Sequence, residues 1–130
     1  MYVDDDTRMR HIRDAAQEAL RFVKDRNRAD LDTDRMLYRA LVACISEIGE
    51  AASKLTPGAR AALSQVPWNQ IVGMRNQLVH GYYQINPDTI WDTVTADLAP
   101  LIAAVEHWLA SQADTAKASD AREQEEEAPC

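Results

Sequence analysis

Residues 34–55 of this chain read DRMLYRALVACISEIGEAASKL, and this segment sets the fold class. Its apolar residues recur at steps of three and four, which places them along one stripe of an α-helix. Asp32 or Thr33 is placed to cap the start of this helix, and the Thr-Pro-Gly sequence at 56–58 is placed to end it. The stripe comprises Leu37, Leu41, Cys44, Ile48, Ala51 and Leu55.

Helical periodicity extends over most of the remaining chain. A fifth helix opens at Asp88 or Thr89, and Pro100 inside its pattern predicts a kink or break near residues 96–99. No segment alternates as a strand would, so we predict an all-α antiparallel bundle of four or five helices. The first four predicted helices cover about residues 7–27, capped by Asp6 or Thr7, then 34–55, 58–65 and 68–80, the last flanked by Pro67 and Gly81.

Length and charge divide the chain into a domain and a tail. The 130 residues suffice for one hydrophobic core, which we assign to residues 1–110. Residues 111–130 lose the periodicity and hold two basic against six acidic side chains, so we expect a disordered acidic tail there. A small bundle with long apolar stripes often buries its surplus face against a second copy, and we therefore expect a homodimer.

Composition excludes several classes of protein. The chain has no run of about eighteen apolar residues, so no membrane partner is expected. Its two cysteines, Cys44 and Cys130, are too few for a disulfide framework or a four-cysteine zinc site, and we expect a reduced, cytoplasmic protein. The net charge of -7 disfavours non-specific nucleic-acid binding, and no DNA partner is expected.

The chemistry is concentrated in residues 73–83, which read GMRNQLVHGYY. No Asp or Glu occurs from Ala51 to Pro87. Arg75 offers a planar fork that suits phosphate, and His80 can take and give a proton near neutral pH. RNA carries its own nucleophile, the 2′-hydroxyl, so an arginine and a histidine together can cleave it without metal or cofactor.

The spacing of these two residues raises a geometric difficulty. Arg75 and His80 are five residues apart, which is about 140° around an ideal helix. They would meet only if the last helical turn loosens before Gly81, or if two chains contribute to one cleft. An Arg and a His near a helix end can also serve as ordinary caps of exposed carbonyls, and that structural alternative stays open.

Other candidate residues have simpler interpretations. Tyr82 and Tyr83 suit half-buried loop anchors, and Cys44 on its apolar stripe suits the core. Glu47 and Glu50 are three residues apart on one helix. They are either a metal-binding pair or, as we favour, solvated or arginine-paired carboxylates, because no Glu-x-x-His motif accompanies them.

The sequence from Arg75 to Tyr82, RNQLVHGY, resembles the Arg-x4-His-x-Tyr motif of the HepT-like toxins of the HEPN superfamily. The resemblance extends in consistent order over roughly Arg8 to Leu109. It includes the segments SEIGEAA at 46–52, VPW at 66–68, IVGM at 71–74 and IWDTV at 90–94.

This resemblance implies a fold, an activity and a partner. It implies a HEPN helical bundle that dimerises so that the motifs of two chains line one cleft. It implies a metal-independent endoribonuclease without cofactor, with Arg75 and His80 catalytic and Asn76 supporting them. It also implies a type VII toxin–antitoxin system, in which an MntA-type minimal nucleotidyltransferase antitoxin transfers AMP to Tyr82.

Two other functions fit the same residues. The chain could be a non-catalytic helical module that presents substrate to a nucleotidyltransferase or regulates it, which the negative net charge slightly favours. It could also be a structural dimer whose Arg–His motif only caps a helix.

Overall fold

The computed structural model describes the backbone of residues 4–81 and 85–127 and the side chains of residues 4–81 and 85–115. These residues contain helices and no strand, which confirms the all-α prediction. The elements are α1 (Asp5–Val23), α2 (Asp30–Thr33), α3 (Arg35–Ser53), α4 (Pro57–Ala62), α5 (Trp68–Gly81), α6 (Pro87–Asp92), a π-helical turn (Thr93–Asp97) and α7 (Leu98–Glu127).

The four long helices pack in the spatial order α5, α3, α1, α7. The predicted stripe of α3 is buried along its whole length, and the stripe of α1 is buried from Met9 to Ala19. Helices α1 and α3 therefore supply the centre of the core, and α5 covers the outer side of α3. The largest side chains that are fully enclosed are Met9, Ile12, Leu41, Ile90, Val94, Val105 and Cys44.

Hydrogen bonds between helix ends fix the helix directions. Asp5, at the start of α1, accepts bonds from the backbone N–H of Thr56 (3.0 Å) and from its hydroxyl (2.6 Å), just beyond the end of α3. Tyr38, near the start of α3, donates its hydroxyl to the carbonyl of Ile85, beyond the end of α5 (3.3 Å). Helices α1 and α3, and helices α3 and α5, are thus antiparallel, as predicted.

Two predicted helix caps differ from those observed. Asp4, not Asp6 or Thr7, caps α1 by accepting a bond from the backbone N–H of Thr7 (2.9 Å). Asp34, not Asp32 or Thr33, caps α3 by accepting from Leu37 (3.1 Å), because residues 30–33 form the short helix α2.

Helices α4 and α6 each begin with a proline. Asn86 caps α6 through Asp88 N–H (2.8 Å), with Pro87 following it, so this helix begins before the predicted Asp88 or Thr89. Thr56 caps α4, whose first residue is Pro57. Proline suits the first helical position because it has no N–H to leave unpaired there.

The C-terminal part of the chain consists of a π-helical turn followed by the long helix α7. The predicted irregularity ahead of Pro100 is present as the π-helical turn. Pro100 cannot donate the backbone bond that a continuous α-helix would need, so the preceding turn widens. Helix α7 continues through the backbone of residues 111–127, a segment rich in Ala, Glu and Gln, which are strong helix formers. The disordered acidic tail stays a prediction.

Candidate active site

Helix α5 carries the Arg–His motif and is fixed at both ends. At its start Trp68 is buried, and its indole N–H donates to the carbonyls of Arg60 and Leu63 (3.1 Å each). Near its end Leu78 is buried in the same core. One face of α5 therefore packs on the bundle, and the face bearing Asn76, Gln77 and His80 is exposed.

Helices α3 and α5 approach closely at Gly49. A Cβ atom placed on Gly49 would lie 2.1 Å from Cβ of Arg75 and 3.2 Å from the carbonyl oxygen of Ile71. Real Cβ atoms do not come so near, so only glycine permits this helix crossing. The stem of Arg75 thus rests against the backbone of α3, which fixes where its guanidinium group begins.

The guanidinium group of Arg75 is held by two further contacts. One terminal nitrogen donates to the side-chain oxygen of Asn76 (2.9 Å), and the other forms an ion pair with Glu50 of α3. Glu50 in turn binds the ammonium of Lys54 through its other oxygen (2.9 Å). Arg75 lies well before the end of α5 and reaches across to α3, so it is not a cap of its own helix.

Glu50 alters the electrostatics that the sequence suggested. Residues 51–87 lack carboxylates, but folding brings the carboxylate of Glu50 on α3 into contact with Arg75 on α5. The hydrogen bond from Lys54 and the charge of Arg75 hold the pKa of Glu50 below its ordinary value, so this carboxyl is ionised at neutral pH. The arginine-paired interpretation of Glu50 is therefore correct.

His80 is exposed in the last turn of α5. It borders a shallow surface groove together with Gln77, Ile85, Asn86 and Thr89. The helix stays α-helical through Gly81, so the last turn does not loosen as one expectation required. At a regular rise, His80 lies about 7.5 Å along the axis and about 140° around it from Arg75. The structure thus brings Asn76 and Glu50 to Arg75 and leaves His80 apart.

The remaining candidate residues fall outside this arrangement. The predicted modification site, Tyr82, and its neighbour Tyr83 lie outside the described residues. Cys44 is buried, as predicted, and burial together with the charges of Glu18 and Glu47 raises the pKa of its thiol to about 12. Within the described residues no three His, Cys, Asp or Glu side chains group as metal ligands would.

The sequence assigned no role to Gly49 and did not identify which arginine pairs with Glu50. The sequence does indicate a special role for Gly49, because a glycine inside a helix costs about 1 kcal/mol relative to alanine and is therefore expected only where packing requires it. For Glu50 the sequence gives a weaker indication. Its side chain lies 25 positions from Arg75 in sequence, and only the packing of α5 on α3 shows that the two meet.

Comparisons with known proteins match most of the chain to one protein family. A family model described as "Ribonuclease HepT-like" matches residues 12–108, a range that includes all of α5. None of the described helices combines the length and apolar character that crossing a bilayer requires. No solved structure matches the chain with significance.

Three relatives illustrate the similarity. A protein of Caldanaerobacter subterraneus subsp. tengcongensis named "Putative RNase" is 34% identical over 93 residues, which cover 72% of this chain and 83% of that protein. A "Putative RNase" of Methanocaldococcus jannaschii is 30% identical over 95 residues, covering 73% and 87%. A protein of Thermococcus cleftensis named "Probable ribonuclease HepT" is 26% identical over 72 residues, covering 55% and 66%.

Proposed function

The chain belongs to the HepT-like ribonuclease family, and we propose that it is a metal-independent endoribonuclease that acts as the toxin of a type VII toxin–antitoxin system. The observation that carries the proposal is the placement of Arg75 and His80 on α5. Both side chains reach solvent, and both lie inside the segment that matches the family.

The proposed reaction uses the 2′-hydroxyl of RNA as nucleophile. His80 takes the proton of this hydroxyl while its oxygen attacks phosphorus, and the bond from phosphorus to the 5′-oxygen breaks. A second imidazolium donates a proton to the departing 5′-oxygen, so the products are a cyclic phosphate and a 5′-hydroxyl end. Arg75 stabilises the negative charge that develops on the phosphoryl oxygens.

A homodimer supplies both histidines and removes the geometric difficulty. Within one chain Arg75 and His80 point about 140° apart, so a single phosphate does not readily contact both. A two-fold contact between two copies of α5 can place Arg75 of one chain beside His80 of the other. The half-exposed apolar side chain of Val79, next to His80, favours such a contact because a second copy would cover it.

The proposed regulator is an MntA-type nucleotidyltransferase antitoxin that adds AMP to Tyr82. Tyr82 follows His80 by two residues, so an AMP group attached there lies close to the catalytic imidazole. Its phosphate adds negative charge and its adenine adds bulk, and both oppose the approach of RNA.

The test of catalysis is RNA cleavage by the purified chain in excess EDTA. We expect cleavage by the wild type and loss of about 10²–10⁴-fold in the rate for Arg75→Ala and for His80→Ala. His107→Ala removes an exposed histidine on α7 and is the matched control. Cleavage that requires Mg²⁺, or that survives both substitutions, would contradict the proposal.

The test of regulation is the intact mass of this chain after co-expression with the nucleotidyltransferase. We expect one or more additions of the mass of AMP, and Tyr82→Phe should abolish them. If additions persist in Tyr82→Phe, the modified residue is not Tyr82.

A non-catalytic partner of a nucleotidyltransferase is the second candidate function. The ion pair of Arg75 with Glu50 favours it, because a guanidinium that already holds a carboxylate is less available to phosphate. This alternative predicts a stable complex with the nucleotidyltransferase and no RNA cleavage at any protein concentration.

A further inference from the structure

Glu50 is shared by two cations, one on each oxygen of its carboxylate. Oε1 lies 2.9 Å from Nζ of Lys54, which follows it by one helical turn, and Oε2 binds Arg75 of the neighbouring helix. Because each oxygen has its own partner, Glu50 can release Arg75 and still keep a counter-ion. All three side chains remain partly exposed, so a ligand can reach them.

We propose that Glu50 is a positioning residue for Arg75, and that Lys54, by holding the other oxygen of Glu50, leaves Arg75 free to take the phosphate of RNA. The inference rests on the proposed ribonuclease function. According to this inference, Glu50 and Lys54 orient the guanidinium of Arg75 before the RNA substrate binds.

The first support is the number of contacts that fix Arg75. Its stem lies against Gly49, one terminal nitrogen donates to Asn76, and the other binds Glu50. Anchors on two helices limit the rotamers of a long, flexible side chain. A guanidinium oriented in advance loses less freedom when it binds phosphate, and it stands closer to the geometry of the transition state.

The second support is charge. A carboxylate beside Arg75 repels the phosphate that Arg75 is to bind, so Glu50 should weaken RNA binding while it improves orientation. Lys54 offsets this repulsion because the positive charge of its ammonium partly cancels the electrostatic potential of the Glu50 carboxylate at the phosphate. The inference therefore predicts opposite effects of Glu50 on KM and on kcat, which a purely structural residue would not produce.

The decisive variant is Glu50→Gln, which keeps an acceptor oxygen and removes the charge. We expect kcat to fall roughly ten- to a hundredfold because Arg75 is held less firmly. We expect KM to fall about two- to fivefold because a partly exposed repulsive charge is gone. The slope of log KM against log salt concentration should steepen by about one. Glu50→Asp keeps the charge but shortens its reach, so kcat should fall without the fall in KM.

The control is Glu47→Gln, the same charge change one turn earlier on an exposed position of α3. It should leave kcat, KM and the salt slope within about twofold of wild type, because an isolated surface charge contributes little. Melting curves of all variants separate a loss of folded protein from a change at the site.

Lys54 is tested by a double-mutant cycle. Lys54→Met should raise KM, because Glu50 then has Arg75 as its remaining partner in this cluster. In the Glu50→Gln background the same substitution should have no further effect if Lys54 acts through Glu50. An equal rise in KM in both backgrounds would show that Lys54 contacts RNA itself and would overturn this part of the inference.

The two levels of the hypothesis fail in different ways. If the wild-type chain does not cleave RNA, the proposed function is wrong. If the wild type cleaves RNA and Glu50→Gln matches Glu47→Gln in kcat, KM and salt slope, the ribonuclease stands and the role of Glu50 is wrong.

Discussion

Gly49 and Arg75 are in direct contact where α3 crosses α5, so closely that a single methyl group on Gly49 would overlap the stem of Arg75. This contact joins the stability of the bundle to the placement of a candidate catalytic group. The helix that carries the motif is held against α3 by a residue with no side chain, and the guanidinium then extends toward Glu50.

The substitution Gly49→Ala should therefore destabilise the protein and reduce activity together. Overpacking at a helix contact costs about 1–3 kcal/mol, and the displaced Arg75 should lower kcat further. Chemical denaturation measures the first effect and RNA cleavage the second.

Gly73→Ala provides the contrasting control. A Cβ on Gly73 meets nothing within 4 Å, so this change should raise the free energy of unfolding by about 0.5–1 kcal/mol, as expected for glycine in an exposed helix. Equal effects of the two alanines would contradict the close crossing at Gly49.

The proposed cleft, in which Arg75 of one chain lies beside His80 of the other, makes a prediction about mixtures of inactive chains. Arg75→Ala and His80→Ala proteins should each be inactive, yet co-refolding them should restore a small part of the activity, because a mixed dimer brings Arg75 of one chain beside His80 of the other and lacks only the second histidine that protonates the 5′-oxygen. The measurement is RNA cleavage before and after mixing under exchange conditions. No recovery, with mixed dimers demonstrated by mass, would contradict a cleft in which Arg75 of one chain works with His80 of the other.

Cys44 should be unreactive in the folded protein. Its thiol is buried and its pKa is raised to about 12, so almost no thiolate is present at pH 8.5. In a Cys130→Ser background, alkylation should require unfolding. Above about pH 9 the thiol ionises in the unfolded chain but not in the folded one, so its contribution to stability should decline as the pH rises. Rapid alkylation of the native protein would contradict this burial.

Acid should weaken the start of α3 through Asp34. This carboxylate binds Arg26 (2.8 Å) and accepts a backbone bond from Leu37, and both contacts lower its pKa, the ion pair first. Because the pKa of Asp34 is lowered, this carboxylate stabilises the folded state at pH values above its ordinary pKa of about 4. That contribution is lost as the pH falls from there through the lowered pKa of the folded state.

The variant Asp34→Asn isolates this effect. Asparagine can still cap α3 but cannot titrate, so the melting temperature of the variant should fall less steeply than that of wild type between about pH 4 and pH 2. Asp92→Asn, the same change at an exposed residue of α6, is the control. Parallel curves for wild type and Asp34→Asn would contradict the assignment.

The sequence predicted the long helices because the residues on the buried face of a helix are apolar and recur every three or four positions, and this spacing is visible in the sequence. The stripe from Leu37 to Leu55 is buried as expected, and Pro100 correctly indicated an irregularity nearby. The caps were less predictable. Several Asp and Thr residues compete near each helix start, and the choice depends on tertiary contacts such as that of Asp5 with Thr56.

The candidate site was predictable in its residues and less so in its arrangement. The motif could be found by type and spacing, and the angular separation of Arg75 from His80 follows from helix geometry alone. The pairing of Arg75 with Glu50 depends on how α5 packs on α3, and local periodicity carries no information about that crossing. Gly49, which permits the crossing, signalled only that some close approach existed.

The π-helical turn Thr93–Asp97 lies between α6 and α7 and changes the direction in which the side chains of α7 point relative to those of α6. Ile90, Val94 and Leu98 follow one another at intervals of four and all are buried. On an ideal α-helix each such step rotates the side chain by about 40°, so the third would turn away from the first by about 80°. The wider π-helical turn offsets this rotation, and the apolar residues before and after it therefore face the same core.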